Sequence, residues 1–370
     1  MERNKNIESM RAMAILFMLF YHYTKTIPGI VHSYLGDMIN EYLCQTAMLT
    51  FFTISGYGTY MYLDRVKGNR HWSAYVKSRF RKIAPQYYFC LIIVLLTTGT
   101  GYWAWNSLKN ILIFFLFGNN LFISTNGEIN GVTWTIALMM QFYLFAVPMY
   151  QSIKKNGGYK TYLFALAISL IFRRVTSLYI FLNHYSEWYY VIYGIRQLPA
   201  TIDIFVAGMC SAHFRKNMVD FSPSKSALLC GGSAILSFIS FMAITYTPDQ
   251  AYLFGGNIRC LLWQPLLGVL IAIVLFSCAS IKINYNRSGG KIIQFIAKNE
   301  YGIYLWHMVL IGNLASQSEI YMQILNRSPF FLLICMIVLA IAVGSLSNCF
   351  FNKSVLQIHI SFGSDSRREM

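Results

Sequence analysis

The sequence predicts an all-α, polytopic membrane protein with about ten transmembrane helices and both termini in the cytoplasm. Hydrophobic residues make up 56% of the 370-residue chain and charged residues only 12%, and the mean hydropathy is +0.47. Soluble globular domains carry about twice that share of charged residues. Apolar stretches of about 20 residues, the length that crosses about 30 Å of hydrocarbon, recur along the whole chain.

The apolar stretches predict one integral-membrane domain, 1–370, with spans between about residues 8 and 351 and a short cytoplasmic tail, 352–370. The predicted spans are 8–25, 43–62, 81–98, 134–151, 160–181, 198–213, 226–246, 258–279, 300–317 and 329–351. An eleventh apolar stretch, LKNILIFFLFGNNLFIS at 108–124, is shorter and is interrupted by Gly118, Asn119 and Asn120. It is expected to be a re-entrant or interfacial segment.

Positive charge in the loops predicts the orientation of the chain. Basic residues crowd the loops 64–82, 154–160, 213–217 and 282–291 and the C-terminal tail, and short cytoplasmic loops carry an excess of Lys and Arg. A crossing at 108–124 would place the later basic loops outside. The first apolar run lacks a small-residue cleavage site, so we expect a retained first span rather than a signal peptide.

The charge and the cysteines exclude several other classes of protein. The net charge of +16 does not indicate nucleic-acid binding, because membrane topology alone places these charges in short loops. The eight cysteines lie within or beside apolar segments, without a CxxC motif or a Cys/His cluster of metal-ligand spacing, so packing roles are expected. The sequence predicts no metal, no tightly bound cofactor and no nucleic-acid partner; the lipid bilayer is the expected surrounding.

The first predicted span, RAMAILFMLFYH at 11–22, has ionisable residues at both ends. Arg11 and His22 are eleven residues apart, which places them on one helix face and about 16 Å apart along the axis. Taken singly, Arg11 could extend its charge to the headgroups and His22 could be a packing residue. Together they predict a helix face that lines a cavity across much of the membrane.

Six motifs, in order along nearly the whole chain, resemble those of the membrane-bound acyltransferase 3 family. The pattern R-x10-H in the first span resembles the family signature, and the other matches are FFTISGYGTYMY at 51–62, RFRKIAPQYY at 79–88, WTIALMMQFYLF at 134–145, DIFVAGMCSAHF at 203–214 and EYGIYLWH at 300–307. Members of that family acylate sugars and other extracytoplasmic acceptors with a cytoplasmic acyl-coenzyme A. The resemblance implies the same activity here.

Three positions depart from the family pattern. The second arginine of R-x-x-R is Lys82, next to Arg81, and lysine lacks the planar fork that grips phosphate. The glutamate expected in the fourth motif is Met139, and the serine of the last motif is Glu300. A displaced carboxylate at Glu300 is conceivable, although its position near the cytoplasmic end argues against a direct replacement.

The candidate catalytic residues are His22 and Arg11. Histidine has an ordinary pKa of about 6.5, which suits removal of a hydroxyl proton near neutral pH. His22 is therefore expected to be the general base or a transient acyl carrier, and direct transfer and an acyl-enzyme relay both stay open. Arg79, Arg81 and Lys82 are expected to bind the phosphates of acyl-CoA; the alternative is a loop whose charges only set the topology.

The remaining candidate site residues each have a structural role as an alternative. Acceptor-site or structural roles are assigned to Ser55, Trp134, Asp203, Tyr301 and His307. Ser55 with Gly56 also fits small-residue helix packing, and Asp203 could pair with Arg196. Arg173 and Arg174 could meet a sugar phosphate or mark the outer end of a span. The tyrosines and tryptophans fit both interfacial belts and sugar stacking.

We expect an O-acyltransferase, in particular an O-acetyltransferase, of the bacterial inner membrane. Its donor would be acetyl-CoA or another acyl-CoA, and its acceptor a surface polysaccharide or lipid-linked glycan precursor, with the polysaccharide biosynthesis machinery as a further partner. No appended extracytoplasmic domain is expected. One alternative is a non-enzymatic flippase, transporter or polymerase of lipid-linked glycans, and another is an inactive family member that has lost its glutamate.

Overall fold

The computed structural model describes residues 4–31, 33–66, 72–97, 105–218, 221–245, 258–281, 283, 285–315 and 318–365, which are helical with connecting turns and contain no strand. Parts of the basic loops 64–82 and 282–291 and the last five residues lie outside them. The helices are α1 Lys5–Thr26, α2 Tyr34–Arg65, α3 Trp72–Thr97, α4 Trp105–Phe115, α5 Trp134–Asn156, α6 Gly158–Leu182, α7 Glu187–Tyr190, α8 Leu198–Asn217, α9 Pro223–Thr245, α10 Ile258–Cys278, α11 Ser288–Val309, α12 Glu319–Arg327 and α13 Pro329–Asp365. Two π-helical turns, Val191–Ile195 and Leu310–Ala315, precede α8 and follow α11.

Ten long helices among the described residues overlap the ten predicted spans. The predicted starts are nine residues late for α2 and α3 and twelve residues late for α11, because each of these helices begins in polar sequence before its apolar stretch. Within the described residues, six of them are long and apolar enough to cross a membrane, namely α3, α5, α6, α9, α10 and α13. The other four, α1, α2, α8 and α11, carry more polar and charged residues. These four helices also supply most of the candidate site residues, which explains their lower hydropathy.

Helices α2 and α8 cross at the centre of the bundle with their backbones in contact. A Cβ atom on Gly56 would collide with the carbonyl oxygen of Phe205, and one on Gly208 would collide with that of Thr53. Small residues allow this close approach, and van der Waals packing rather than hydrophobic exclusion drives helix association in a bilayer. The crossing places Ser55, which precedes Gly56, in the interior of the bundle.

One carboxylate joins the C-terminal ends of three helices. Asp64 of α2 accepts hydrogen bonds from the Tyr150 hydroxyl at 3.1 Å and the Lys154 ammonium at 3.3 Å, both of α5, and from Lys216 of α8. The three helices therefore end at the same face of the bundle. This face carries the basic segments that the sequence analysis predicted to be cytoplasmic.

The segment 108–124 contains only a short helix. Helix α4 has 11 residues, so it is about 16 Å long and shorter than the hydrocarbon layer. After it the chain turns at Phe117, whose φ is 55°. Asn119 and Asn120 are then buried, and Asn120 exchanges a hydrogen bond with Gln141 of α5. Its predicted re-entrant or interfacial placement stays a prediction, like the span count.

Candidate active site

At the end of the bundle that carries Asp64, Arg11 of α1 forms an ion pair with Glu300 of α11. Their Nη1 and Oε1 atoms are 2.9 Å apart, and both side chains are about one-fifth exposed. Because Glu300 stands where the family pattern has serine, this carboxylate is a feature of the present chain. Met139 lies elsewhere, half-buried on the inward face of α5 one turn before Tyr143.

Arg79 of α3 lies in a cage of three tyrosines next to this ion pair. Its guanidinium carbon is 5.2 Å from the ring centroid of Tyr62, 5.1 Å from that of Tyr75 and 5.3 Å from that of Tyr143. The hydroxyl of Tyr143 also shares a 2.8 Å hydrogen bond with Ser55. Among the described residues Arg79 has no carboxylate partner, and its Nε atom is buried without a hydrogen bond. The cage holds a cation that an anionic ligand would neutralise.

The three predicted donor-binding cations do not form one surface. Arg79 is half-buried, whereas Arg81 and Lys82 are exposed. Residues two apart on a helix point about 200° away from each other, so Arg81 lies on the side opposite Arg79. Lys82 is adjacent to Arg79 around the helix. Tyr301, another predicted site residue, donates a 2.8 Å hydrogen bond to the carbonyl of Ile83 and so ties α11 to α3.

Packed side chains fill the face of α1 between Arg11 and His22. Ile15 and Met18 occupy this face and are 0% and 3% exposed. The sequence analysis expected a cavity here, and the structure shows it closed at its middle. Methionine adapts its shape easily, so Met18 is the side chain best suited to move when a ligand enters.

Two histidines lie close together beyond the packed Ile15 and Met18 side chains. The rings of His22 and His307 have centroids 5.2 Å apart and are tilted by 44°. His307 is fully buried, and its Nδ1 lies 2.7 Å from the carbonyl oxygen of Tyr304. A carbonyl can only accept, so Nδ1 carries the proton and Nε2 carries the lone pair. Within the described residues that Nε2 atom is buried without a hydrogen-bond partner.

Tyr304 anchors the histidine pair to the start of α5. Its hydroxyl donates a 2.8 Å hydrogen bond to the carbonyl of Val132 and lies 2.6 Å from the Thr135 hydroxyl. Asn130 donates a 3.0 Å hydrogen bond to the carbonyl of Leu305. These contacts fix α11, and therefore His307, against the segment that carries Trp134.

Arg196 is a site residue that the sequence analysis did not select. Its guanidinium carbon is 4.6 Å from the Trp134 ring centroid and 5.0 Å from that of Trp188. It donates a hydrogen bond to Asn126 and lies close enough to His22 to interact with it electrostatically. Sequence alone offered only a weak signal, an arginine between tryptophan-containing segments.

The pairing of Asp203 with Arg196, one alternative in the sequence analysis, is wrong. Asp203 of α8 is 3.5 Å from the guanidinium of Arg173 of α6 and accepts a 2.8 Å hydrogen bond from Ser169. Arg173 and Asp203 are both essentially unexposed. This pair therefore joins two helices inside the bundle.

The arrangement is suited to transfer of a group between the two ends of the bundle. One end presents an aromatic-caged cation and the other a histidine pair within electrostatic range of a second cation. The packed side chains of Ile15 and Met18 lie between them. The described residues contain no group of three or more His, Cys, Asp or Glu side chains placed to hold a metal ion.

Comparison with known proteins identifies the family. A family profile described as an acyltransferase domain matches residues 4–347. The chain is 22% identical over 255 residues to "Putative acetyltransferase ORF330" of Acidianus two-tailed virus, covering 68% of this chain and 69% of the viral protein. No solved structure shows significant similarity to the chain. The match over nearly the whole length shows that this chain belongs to the acyltransferase 3 family of membrane acyltransferases.

Proposed function

We propose that the protein is a membrane O-acetyltransferase that moves an acetyl group from cytoplasmic acetyl-CoA to a hydroxyl of a surface polysaccharide or a lipid-linked glycan precursor. The observation that carries the proposal is the His22–His307 pair, with ring centroids 5.2 Å apart and the Nε2 atom of His307 unpartnered among the described residues. Family membership makes it a transferase, so a flippase, transporter or polymerase is disfavoured.

The donor is proposed to bind at the Arg79 cage. A phosphate of coenzyme A would neutralise the Arg79 guanidinium, and the three tyrosine rings would hold that guanidinium in place. Arg11 is already paired with Glu300, so its role would be to shape the site rather than to bind phosphate. The thioester arm would then extend along α1 toward His22 and displace Met18.

His22 is proposed to act as the general base. The acceptor hydroxyl oxygen attacks the thioester carbonyl carbon, a C–O bond forms, and the C–S bond breaks. His22 takes the hydroxyl proton and returns it to the coenzyme A sulfur, so the imidazole is regenerated. His307 would position His22 from behind, because His307 is fully buried whereas His22 is half-buried. An acyl relay through His22 stays the alternative route.

The proposed setting is the inner membrane of a bacterium, with both termini in the cytoplasm. Acetyl-CoA is made and kept inside the cell, so the Arg79 end of the bundle would face the cytoplasm. The basic segments around Asp64 lie at the same end, which supports this orientation.

His22→Gln tests the proposal. Glutamine keeps a hydrogen-bonding side chain but cannot take a proton at neutral pH, so acetyl transfer to a glycan should fall by a factor of about 10² to 10⁴. Binding of acetyl-CoA should not change. The measurement is transfer of radiolabelled acetyl from acetyl-CoA to cell-surface glycan in membranes from cells that express each variant.

His184→Gln is the matched control, since His184 is an exposed histidine. It should transfer acetyl groups like the wild type. Near wild-type transfer by His22→Gln would show that His22 is a packing residue. No transfer by any protein, wild type included, would point to an inactive family member.

A further inference from the structure

Arg196 lacks a negative partner within the described residues. Arg11 is paired with Glu300 and Arg173 with Asp203, but no ion pair in the described part of the chain involves Arg196. Its hydrogen-bond acceptor among these residues is the neutral amide oxygen of Asn126. Arg196 is half-buried, and an unpaired charge partly removed from water is costly unless another group compensates it. A bound anion would supply that compensation.

The surroundings of Arg196 suit a sugar. Trp134 is 9% exposed and Trp188 is 48% exposed, so the guanidinium lies between a buried ring and a ring that reaches the surface. Trp188 precedes Tyr189 in the chain, and the rings of Tyr179, Tyr185, Tyr189 and Tyr193 form a series in this segment. Centroids are 6.0 Å apart for Tyr179 and Tyr185, and 4.7 Å apart for the stacked Tyr185 and Tyr189.

Aromatic rings of this kind combine an apolar face with a polar tip. The face packs against the C–H groups of a pyranose ring, and the tip bonds its hydroxyls. The tyrosine series is long enough to contact several sugars, so its chemistry favours an oligosaccharide over a small metabolite.

We propose that Arg196 anchors a carboxylate or phosphate group of the acceptor, which is therefore an anionic glycan. Trp188 would pack against the charged sugar, and Tyr185 and Tyr189 against the sugars that follow. This inference rests on the proposed function for the identity of the bound glycan as acceptor. The anion site itself stands on the Arg196 contacts.

The position of Arg196 explains how the anchor would select a hydroxyl. Arg196 is near enough to His22 for an electrostatic interaction. On a charged sugar, the acceptor hydroxyl and the anionic group would be separated by only a few bonds. Holding the anion would bring that hydroxyl to His22, and a neutral sugar would lose this alignment.

Binding to the full chain in lipid nanodiscs, without acyl donor, tests the anchor. Two probe pairs separate the sources of charge: trigalacturonate against its trimethyl ester, and glucose 1-phosphate against methyl glucoside. The wild type should bind the anion of at least one pair about tenfold or more tightly than its neutral partner, as expected for a charge-assisted contact. The pair that shows the preference identifies carboxylate or phosphate.

Arg196→Gln should bring that ratio to about one, since it removes the charge and keeps hydrogen-bond donors. Arg327→Gln, which changes an exposed arginine of α12, should retain the preference. Asn126→Asp is a second test of the same site. The new carboxylate would form an ion pair with Arg196 and abolish the preference for the anion, even if Arg196→Gln failed to fold.

No preference in the wild type for either pair, or a preference that survives both Arg196→Gln and Asn126→Asp, would overturn the inference. His22→Gln should keep the anion preference while it loses acetyl transfer. Failure of the anion site and failure of the proposed reaction are therefore separate results.

Discussion

The Arg11–Glu300 ion pair shows how one substitution changes the charge balance of the site. The family pattern places a glutamate at Met139 and a serine at Glu300. Here α11 supplies the carboxylate, 2.9 Å from Arg11. A half-buried cation that already has a carboxylate partner has less to gain from a phosphate than one that has none. Arg79, caged by neutral rings, is therefore the residue expected to hold the donor.

Arg79→Ala should weaken acetyl-CoA binding by about 1.5 to 3 kcal/mol, the scale of a hydrogen bond to a charged group. The matched control is Lys77→Ala, because Lys77 is an exposed cation two residues earlier on the same helix. Equilibrium binding of acetyl-CoA to purified protein in nanodiscs measures both. Equal affinities in the two variants would show that the RFRK stretch only sets the membrane topology. Unchanged acetyl-CoA binding in the double variant Arg79→Ala and Lys82→Ala would show the same.

Helix α2 carries two glycines that differ sharply in their surroundings. Gly56 touches the backbone of α8, whereas a Cβ on Gly58 would meet nothing within 4 Å. The two positions are in one helix and two residues apart. Substituting each glycine by alanine therefore separates the effect of the α2–α8 contact on stability from the effect of helix propensity.

Gly56→Ala should destabilise the protein by about 1 to 3 kcal/mol, the usual cost of forcing extra atoms into a packed contact. Gly58→Ala should be neutral or stabilising by up to about 1 kcal/mol, since alanine favours a helix over glycine. Thermal unfolding in detergent, followed by size-exclusion chromatography, gives the comparison. A loss of stability at Gly58 as large as that at Gly56 would contradict the close crossing of α2 and α8.

At the scale of the whole molecule, contacts at the helix ends show in which direction each helix runs through the bundle. Helices α2, α5 and α8 end together at Asp64, and Trp134, at the other end of α5, lies near Arg196. Arg79, near the start of α3, lies 5.2 Å from the Tyr62 ring centroid, close to Asp64. Helix α3 therefore runs away from the Asp64 end, and α5 begins at the end opposite Asp64. The segment 108–124, between α3 and α5, would then enter and leave at one end of the bundle and add no crossing of the membrane.

Reporter tags at residue 156 and at the C-terminus should therefore lie in the cytoplasm, and a tag at 126 outside. Tags at 68 and 250, which fall outside the described residues, should report the cytoplasm and the exterior respectively. Alkaline phosphatase and green fluorescent protein fusions at each site make the measurement, since each is active on only one side. An exterior signal at 156 would mean that 108–124 spans the membrane.

The sequence by itself determined the helical class, the approximate positions of ten long helices and the family, but not where α2, α3 and α11 begin. Helix periodicity, apolar length and short motifs are local properties, so they can be recognised without knowing which helices touch. The same holds for Arg11 and His22, whose shared face follows from a spacing of eleven residues in one helix.

The tertiary structure alone decided which side chains meet. Glu300 is 289 residues from Arg11, and His307 is nearly as far along the chain from His22, so no local pattern could pair them. The packing of α6 against α8 pairs Asp203 with Arg173, and Arg196 lies within electrostatic range of His22. Side-chain partners depend on how helices pack, and packing is set by contacts between residues distant in sequence.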